Sequence, residues 1–515
     1  MTSSAPAGAP LMLFDSLTRE MRAFASIDPA MVRLYSCGPT VYNFAHLGNL
    51  RAYVFTDTLR RTLNWKGWPV NHVINITDVG HLTSDADEGD DKMEAAAAKA
   101  AKTIWEIAAF YTEAFKGDLA ALNIRNPTIW SVATDHIQDM IAFARSIETA
   151  GASYELDNGL YFDTSKVPDY GRLAGSKGEE VVGRIAEVEG KRNPADFALW
   201  RKSSDGEQRQ MEWLSPWGPG APGWHLECSV MSMKYLGEQF DIHTGGIDHR
   251  EIHHCNEIAQ NQAFTGSEKS GANFWMHNNF LVAKDRDGRG GKMSKSKGGF
   301  ATLKNVVDKG VHPLAYRLLC LSAHYRSELE FSPEALAAAL TRLTRLMIAV
   351  EQLRDKVGTP EWMRVLQESG ATKGASFAYQ RDTLETGMGS AARALIDAFD
   401  AALSADLMVP QALPLLEQAV ADKAIEADER LRLIATMDLA LGLDLLTTRR
   451  IDLRLPPSDA AISEAEIESR IAERKEARAA KDFAASDRIR DELAARGVSV
   501  MDGAGAMQWA WIVDL

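Results

Sequence analysis

Two short segments, far apart in the chain, carry side chains suited to handling phosphate charge. In His46-Leu47-Gly48-Asn49 an imidazole and a carboxamide stand one helical turn apart. At a helix start that spacing lets both reach one phosphate, beside backbone N–H groups that already favour an anion. In Lys292-Met293-Ser294-Lys295-Ser296 two ammonium groups share a loop, with Gly288, Gly290 and Gly291 before it and Gly298 and Gly299 after. Such a glycine-flanked loop can close on a ligand and reopen. Fixed donors and cations speed a reaction when they stand where negative charge develops. Alone, each segment says little: a basic pentapeptide is most often a solvated loop, and H-x-G-N arises by chance.

A second set could hold a metal. Cys37, Cys228, His253 and Glu257 offer two thiolates, an imidazole and a carboxylate, the ligand types that zinc takes. His253 and Glu257 lie in Ile252-His253-His254-Cys255-Asn256-Glu257, which reads as helix, so their spacing puts them on one face. Spacing alone does not single the set out. The chain has no CxxC pair, and a lone cysteine at a strand end is usually a small core residue. The run Asp85, Asp87, Glu88, Asp90, Asp91 does not match a calcium loop and reads as a solvated surface loop.

The elements that must position these groups follow from pattern. Residues 31–36 read as a strand ending at Cys37-Gly38-Pro39, a helix runs over roughly 49–65, and Val70 to Ile76 reads as the next strand. Strand, helix, strand with chemistry at the strand ends is the grammar of a doubly wound parallel sheet. An alanine-rich run from Met93 to Lys102 continues into helix. Turns and short strands over roughly 151–224 read as an insertion, after which Phe240-Asp241-Ile242-His243 and Phe280-Leu281-Val282 resume the sheet. Beyond about 330, Leu336, Leu340, Leu343, Leu346, Val350 and Leu353 recur at helical spacing, and 390–447 is similar, which makes a helical bundle. Leu455-Pro456-Pro457 marks a linker to a small unit of charged helices and short strands carrying Trp509 and Trp511.

Composition narrows the class. The 515 residues are enough for three or four domains, and 45% hydrophobic with 25% charged residues is ordinary for a soluble enzyme. No run is apolar enough to span a bilayer, MTSSAPAGAP lacks a signal-peptide core, and four scattered cysteines (Cys37, Cys228, Cys255, Cys320) fit a reducing compartment; the expectation is cytoplasmic. The net charge of -14 opposes a nucleic-acid partner on average. From Glu466 to Arg496, however, eight basic residues balance eight acidic ones. On charge alone that segment is as well read as a solvated helix laced with ion pairs as an RNA contact.

The two phosphate-type segments together resemble the paired ATP signatures of class I aminoacyl-tRNA synthetases. Five blocks narrow the resemblance to the cysteinyl-tRNA synthetase family. They are Tyr35-Ser36-Cys37-Gly38-Pro39-Thr40-Val41-Tyr42, Asn75-Ile76-Thr77-Asp78-Val79-Gly80-His81, Pro222-Gly223-Trp224-His225-Leu226-Glu227-Cys228-Ser229, His253-His254-Cys255-Asn256-Glu257-Ile258-Ala259-Gln260 and the lysine loop. The likeness runs from about residue 11 to the C-terminus. It implies an α/β fold: a Rossmann-like catalytic domain over 1–330, with an insertion at about 116–215 and a stem-contact region at about 300–330. A helical bundle over 331–455 and an α+β anticodon-binding unit over 456–515 would follow.

The resemblance also implies roles. Zinc, one ion per chain, would be held by Cys37, Cys228, His253 and Glu257. ATP, with Mg2+, would meet Thr40, His46, Asn49, Gly245, Gly246, Lys292 and Lys295, of which His46, Asn49, Lys292 and Lys295 would be catalytic. L-cysteine would meet Gly38, Thr77, Trp224 and Asp248. Serine differs from cysteine by one atom and shape separates such near-isosteres poorly, whereas zinc prefers a thiolate to an alcohol. The partner would be tRNA(Cys), the chain a monomer, and Trp509, Trp511 and Arg496 candidates for anticodon contact. The family commonly carries Pro at the position of Ile252, Glu at that of Cys255, and Leu-Gly-Asn-Phe where this chain has Lys297-Gly298-Gly299-Phe300. Two rivals stand beside this reading: a mycothiol-type cysteine ligase with a small amine acceptor, and an inactive synthetase-like protein that binds RNA or senses cysteine. The first predicts loss of the terminal unit, the second loss of ATP-signature residues.

Overall fold

The computed structural model describes residues 8–79, 93, 97, 102–175, 189–203, 210–269, 271–284, 290–292, 302–371, 376–502 and 507–513. A short hairpin, β1 (Met12–Asp15) with β2 (Glu20–Ala23), precedes the first core strand, β3 (Val32–Ser36). Helix α1 (Leu47–Trp65) crosses to β4 (Val70–Ile76), and α2 (Ile104–Ala121) crosses to β5 (Ile129–Val132). The strands are rich in Val, Ile and Leu and buried, as parallel strands covered on both faces must be.

After α3 (Ile137–Thr149) the chain makes a four-stranded antiparallel sheet from β6 (Ser153–Leu156), β7 (Gly159–Phe162), β8 (Phe197–Lys202) and β9 (Gly220–Pro222). Helix α4 (Trp224–Leu236) then leads back to β10 (Gln239–Gly246). One turn, α5 (Ile247–Arg250), and α6 (His253–Thr265) connect it to β11 (Gly271–Asn278). The five core strands lie in the order β11-β10-β3-β4-β5, all parallel. Chain order therefore reverses between β3 and β10. In such sheets the crevice beyond the carboxyl ends of the strands at the reversal is where ligands bind, and here those ends are Ser36-Cys37 and Gly245-Gly246.

Two expectations differ from the structure. The insertion drawn from residue 116 takes in β5, which pairs with β4 at the edge of the core sheet; the antiparallel part begins at Ser153. Phe280-Leu281-Val282 does not rejoin the core sheet. Its strand, β12 (Leu281–Lys284), pairs with β13 (Gly290–Lys292) and with β14 (Leu329–Phe331) in a separate three-stranded sheet. A short apolar run shows that a strand forms, not which neighbour it finds. The fifth core strand is instead β11, whose Asn and His side chains masked it in the sequence.

Helices α7 (Leu303–Asp308) and α8 (Pro313–Leu321) lead into a bundle: α9 (Pro333–Val357), α10 (Glu361–Ala371), α11 (Phe377–Glu385), α12 (Ser390–Ser404), α13 (Val409–Ala421) and α14 (Ala427–Leu441). On α9 the inward stripe is Leu336, Leu343, Leu346, Val350 and Leu353. One apolar core runs without a break from α1 and α2 through α8 into this bundle. The terminal unit, α15 (Glu464–Ala479), α16 (Phe483–Ala495) and the hairpin β15 (Val498–Asp502) with β16 (Met507–Trp511), has a separate core of its own.

Candidate functional site

A cavity of about 660 Å³ opens at the reversal point of the sheet, a size that suits a nucleotide with a small amino acid. Cys37, Gly38 and Thr40 line it from the end of β3, His46 and Asn49 from the start of α1, and Gly245, Gly246 and Asp248 from the end of β10 and α5; Trp224 closes another side. Gly38 is required sterically, because a Cβ there would overlap the backbone oxygen of Asn75. At Gly245 a Cβ would meet the His254 ring at 2.6 Å, so this glycine serves protein packing as well as any ligand.

His46 is the N-cap of α1: its Nδ1 accepts from the Asn49 N–H at 3.1 Å, and Asn49 Oδ1 accepts from the His46 N–H at 3.3 Å. The reciprocal box fixes the entry of the helix, whose Gly48 and Asn49 line the cavity. The lysine loop is tethered at both ends to the same place. Lys292 closes β13, paired with Val282 of β12, while Thr302, which caps α7, forms an antiparallel bridge with His46. Lys295 and the acidic run Asp85–Asp91 lie outside the described residues, and of Lys292 only the backbone is described.

The four metal-type residues come together although they are spread over 221 positions of sequence, from Cys37 to Glu257. Their donor atoms all lie within 4.8 Å of one another and all four residues are buried. His253 Nε2 stands 3.4 Å from Cys228 Sγ and 3.1 Å from Glu257 Oε1. Around a tetrahedral zinc, bonds of about 2.0–2.3 Å set donors roughly 3.3–3.8 Å apart. Buried Glu257 Oε1 receives no aligned hydrogen bond, as a ligand oxygen should. The electrostatics agree: a hydrogen bond from Cys37 pulls the Cys228 thiol down to about 7, and burial pushes Cys37 up. Burial opposes charge on His253, but Cys228 and Glu257 outweigh it and hold His253 up to about 10. Burial likewise opposes the Glu257 charge, and His243 and His253 outweigh it to hold that carboxyl at about 2. The set thus gathers negative charge and keeps a proton where a cation would sit, so a metal would displace that proton.

Several partners escaped sequence reasoning. His225 Nδ1 meets His253 Nδ1 at 2.8 Å and so orients the ring. His243 Nε2 lies 2.9 Å from Glu257 Oε2, and His254 Nε2 lies 3.3 Å from Cys37 Sγ. With Cys37 and Glu257 these two histidines form a second metal-capable group overlapping the first. The signal was available: Asp241, His243 and Gly245 alternate on β10, which puts them on one face. Trp224 stacks on His253 with centroids 4.3 Å apart, joining the cavity wall to the metal-type set. Thr77 is buried and bridges to Thr40 of the cavity wall; its Oγ1 donates to Glu227 Oε2 at 2.8 Å and accepts from Asn75 Nδ2. Cys255 points away, its Sγ donating to the Arg250 carbonyl, and burial pushes its thiol up to about 12.

In the terminal unit Trp509 and Trp511 are core residues, 2% and 7% exposed. Arg496 pairs with Glu466 at 2.6 Å. Neither indole offers a free stacking plane. Phe483, at the start of α16, is 62% exposed.

Comparison with known proteins agrees with this geometry. A family model described as "tRNA synthetases class I (C) catalytic domain" matches residues 23–341, and one described as "Cysteinyl-tRNA ligase anticodon binding domain" matches residues 464–509. A protein named cysteine–tRNA ligase from Zymomonas mobilis is 64% identical over 511 residues, covering 98% of each chain. Another from Novosphingobium aromaticivorans is 55% identical, covering 99% of each. Among solved structures, a LeuRS–tRNA–LeuAMS ternary complex from Agrobacterium radiobacter K84 aligns with a TM-score of 0.54 at 10% identity, covering 94% of this chain and 96% of that one. That likeness speaks for the fold alone. No described helix is long and apolar enough to cross a membrane. With whole-length identity at this level and both family regions in place, the chain belongs to the cysteine–tRNA ligase family of class I aminoacyl-tRNA synthetases.

Proposed function

We propose that the chain joins L-cysteine to ATP as cysteinyl-adenylate and passes the cysteinyl group to the 3′-terminal adenosine of tRNA(Cys). The observation that carries this is one cavity whose rim is the His46–Asn49 cap and whose floor adjoins Cys37, Cys228, His253 and Glu257. In the first step a cysteine carboxylate oxygen bonds to the α-phosphorus as the bond to pyrophosphate breaks. The carboxylate is already ionised at neutral pH, so no general base is required. The N–H groups of α1 and His46, through its Nε2, face the phosphates, and Lys292 and Lys295 supply cations where charge builds. Asp248, on the cavity wall, takes the substrate ammonium. In the second step a terminal ribose hydroxyl attacks the acyl carbon and AMP leaves.

Cys37, Cys228, His253 and Glu257 would hold zinc, which when bound selects a thiolate over an alcohol. His225 and His243 orient His253 and Glu257, and Trp224 packs over His253. The matched anticodon-binding region at 464–509 speaks against the small-amine ligase. Retention of His46, Asn49, Lys292 and Lys295 speaks against an inactive relative.

The test is cysteine-dependent pyrophosphate exchange, followed by charging of tRNA(Cys) and of small amines. Exchange with cysteine but not serine, and transfer only to tRNA, is expected. Absent exchange, or transfer to small amines alone, would overturn the reading.

A further inference from the structure

Beside the mouth of the cavity three aromatic rings meet, two of them open to water. Phe44, two residues before His46, lines the cavity and is 38% exposed; Phe110, on α2, is 50% exposed. Their centroids are 5.9 Å apart at 73°. Tyr111 meets Phe44 at 5.1 Å and 90°, and meets Phe110 at 5.1 Å and 78°. Tyr111 also packs on the main apolar core, so it roots the other two rings. Helix α2 buries Ile104, Ile107, Ala108, Phe115 and Leu119, and Phe110 is not needed for that seam. The Lys102 ammonium stands 5.3 Å from the Phe110 centroid, a cation beside the ring in a chain of net charge -14.

We infer that Phe44, Phe110 and Lys102 form a stacking platform for the unpaired bases at the 3′ end of the tRNA, an inference that rests on the tRNA-charging reading above. The acceptor in that reading is the last ribose of a single strand. When that ribose is inside the cavity, the preceding nucleotides lie across its rim. Phe44 belongs to the rim and to the platform alike, so Phe110 is the next ring outward along that path. Unpaired bases stack on aromatic side chains for about 1–3 kcal/mol each, whatever their sequence. Lys102 meets the phosphates of the same strand. An apolar protein surface could also cover two phenyl rings, but it would give no use to a lysine set over one of them.

The full-length enzyme with Phe110→Ala and with Phe110→Trp tests this. For Phe110→Ala the KM for tRNA should rise about 5- to 150-fold, the span that 1–3 kcal/mol converts to. Cysteine-dependent pyrophosphate exchange without tRNA should keep its rate and its KM for ATP, and Phe110→Trp should restore charging. With tRNA trimmed of its unpaired 3′ nucleotides, wild type and Phe110→Ala should bind equally. An unchanged KM for tRNA in Phe110→Ala overturns the platform, as does a binding defect that persists with trimmed tRNA. Loss of exchange in a folded Phe110→Ala chain overturns it too, since the ring would then support the cavity. A wild-type chain that activates cysteine yet charges no tRNA overturns the enclosing reading, and this one with it.

Discussion

Two buried thiols 191 positions apart in the chain, Cys37 and Cys228, illustrate what a residue can and cannot announce. Their types name a chemistry, but their convergence depends on β3 and α4 lying side by side. The resemblance supplied that convergence in advance. Apart from His243, whose alternation on β10 was a signal, the supporting residues His225, Asn75 and Glu227 were not legible, because each acts through a hydrogen bond to a residue remote in sequence. The metal-type set makes a prediction at this scale: Cys228→Ser should bind substoichiometric zinc by elemental analysis and lose cysteine-dependent exchange, with ATP binding largely kept. Cys255→Ala should keep full zinc, because its sulfur faces the Arg250 carbonyl. Full zinc in Cys228→Ser would remove that residue from the ligand set. A second expectation concerns Lys295, whose role in the transition state rests on sequence. Lys295→Ala should slow adenylate formation by about 2–4 kcal/mol equivalent, as loss of one oxyanion donor does, with ground-state ATP affinity little changed. A normal exchange rate would refute it.

At the scale of elements, α1 shows how a helix joins two parts of the molecule. Asp57, one turn before Arg61, is buried on α1, and its Oδ2 accepts from Arg61 at 2.7 Å and from Arg317 of α8 at 2.6 Å. Arg317 and Arg61 also donate to the Leu441 and Leu439 carbonyls at the end of α14, tying bundle to sheet. Burial alone would raise Asp57, yet Arg61, Arg317 and Arg125 outweigh it and hold the carboxyl far below its usual range. A folded value below the unfolded one means stability that is present above about pH 4 and lost as pH falls further. Asp57→Asn leaves two guanidinium groups buried with less compensation, so it should cost about 3–5 kcal/mol at pH 7. Denaturant midpoints should show the gap to wild type narrowing by pH 3. An equal gap at both pH values would mean that packing, not charge, sets the cost. Elements with local signals were legible: the His46 cap, the 70–76 strand and the α9 stripe. Strand neighbours were not: the apolar run of β12 announces a strand but not its partners, and the Asn and His of β11 hid that strand.

Across the whole molecule the two apolar cores mark where the chain can be divided. The bundle shares the core of α1 and α8, whereas Ile462, Ile467, Ile471, Ile489, Leu493, Val498, Trp509 and Trp511 form a cluster of their own. Among the described residues the contacts across the linker are local, apart from Val513, which packs against the main core. The Ser458 N–H donates to the Asp308 carbonyl at 2.8 Å, and the Arg454 guanidinium lies 4.6 Å over Trp509. Truncation after Ala460 therefore leaves the cavity, the metal-type set and the main core intact, and cysteine-dependent pyrophosphate exchange should continue near the full-length rate. Charging of tRNA should fall sharply through a raised KM, because the anticodon lies far from the acceptor end and needs a contact of its own. Within the full-length chain, Phe483→Ala should reproduce part of that loss, since Phe483 is the exposed ring of the unit while both tryptophans are inside it. Arg496→Ala should act mainly on stability, because its guanidinium is held by Glu466 and the Ala461 carbonyl. Charging untouched by the truncation would remove the tail from RNA recognition. Loss of exchange in a folded truncated chain would make the tail a support for the active site, reached through Asp308 at the end of α7, the helix whose cap bridges His46.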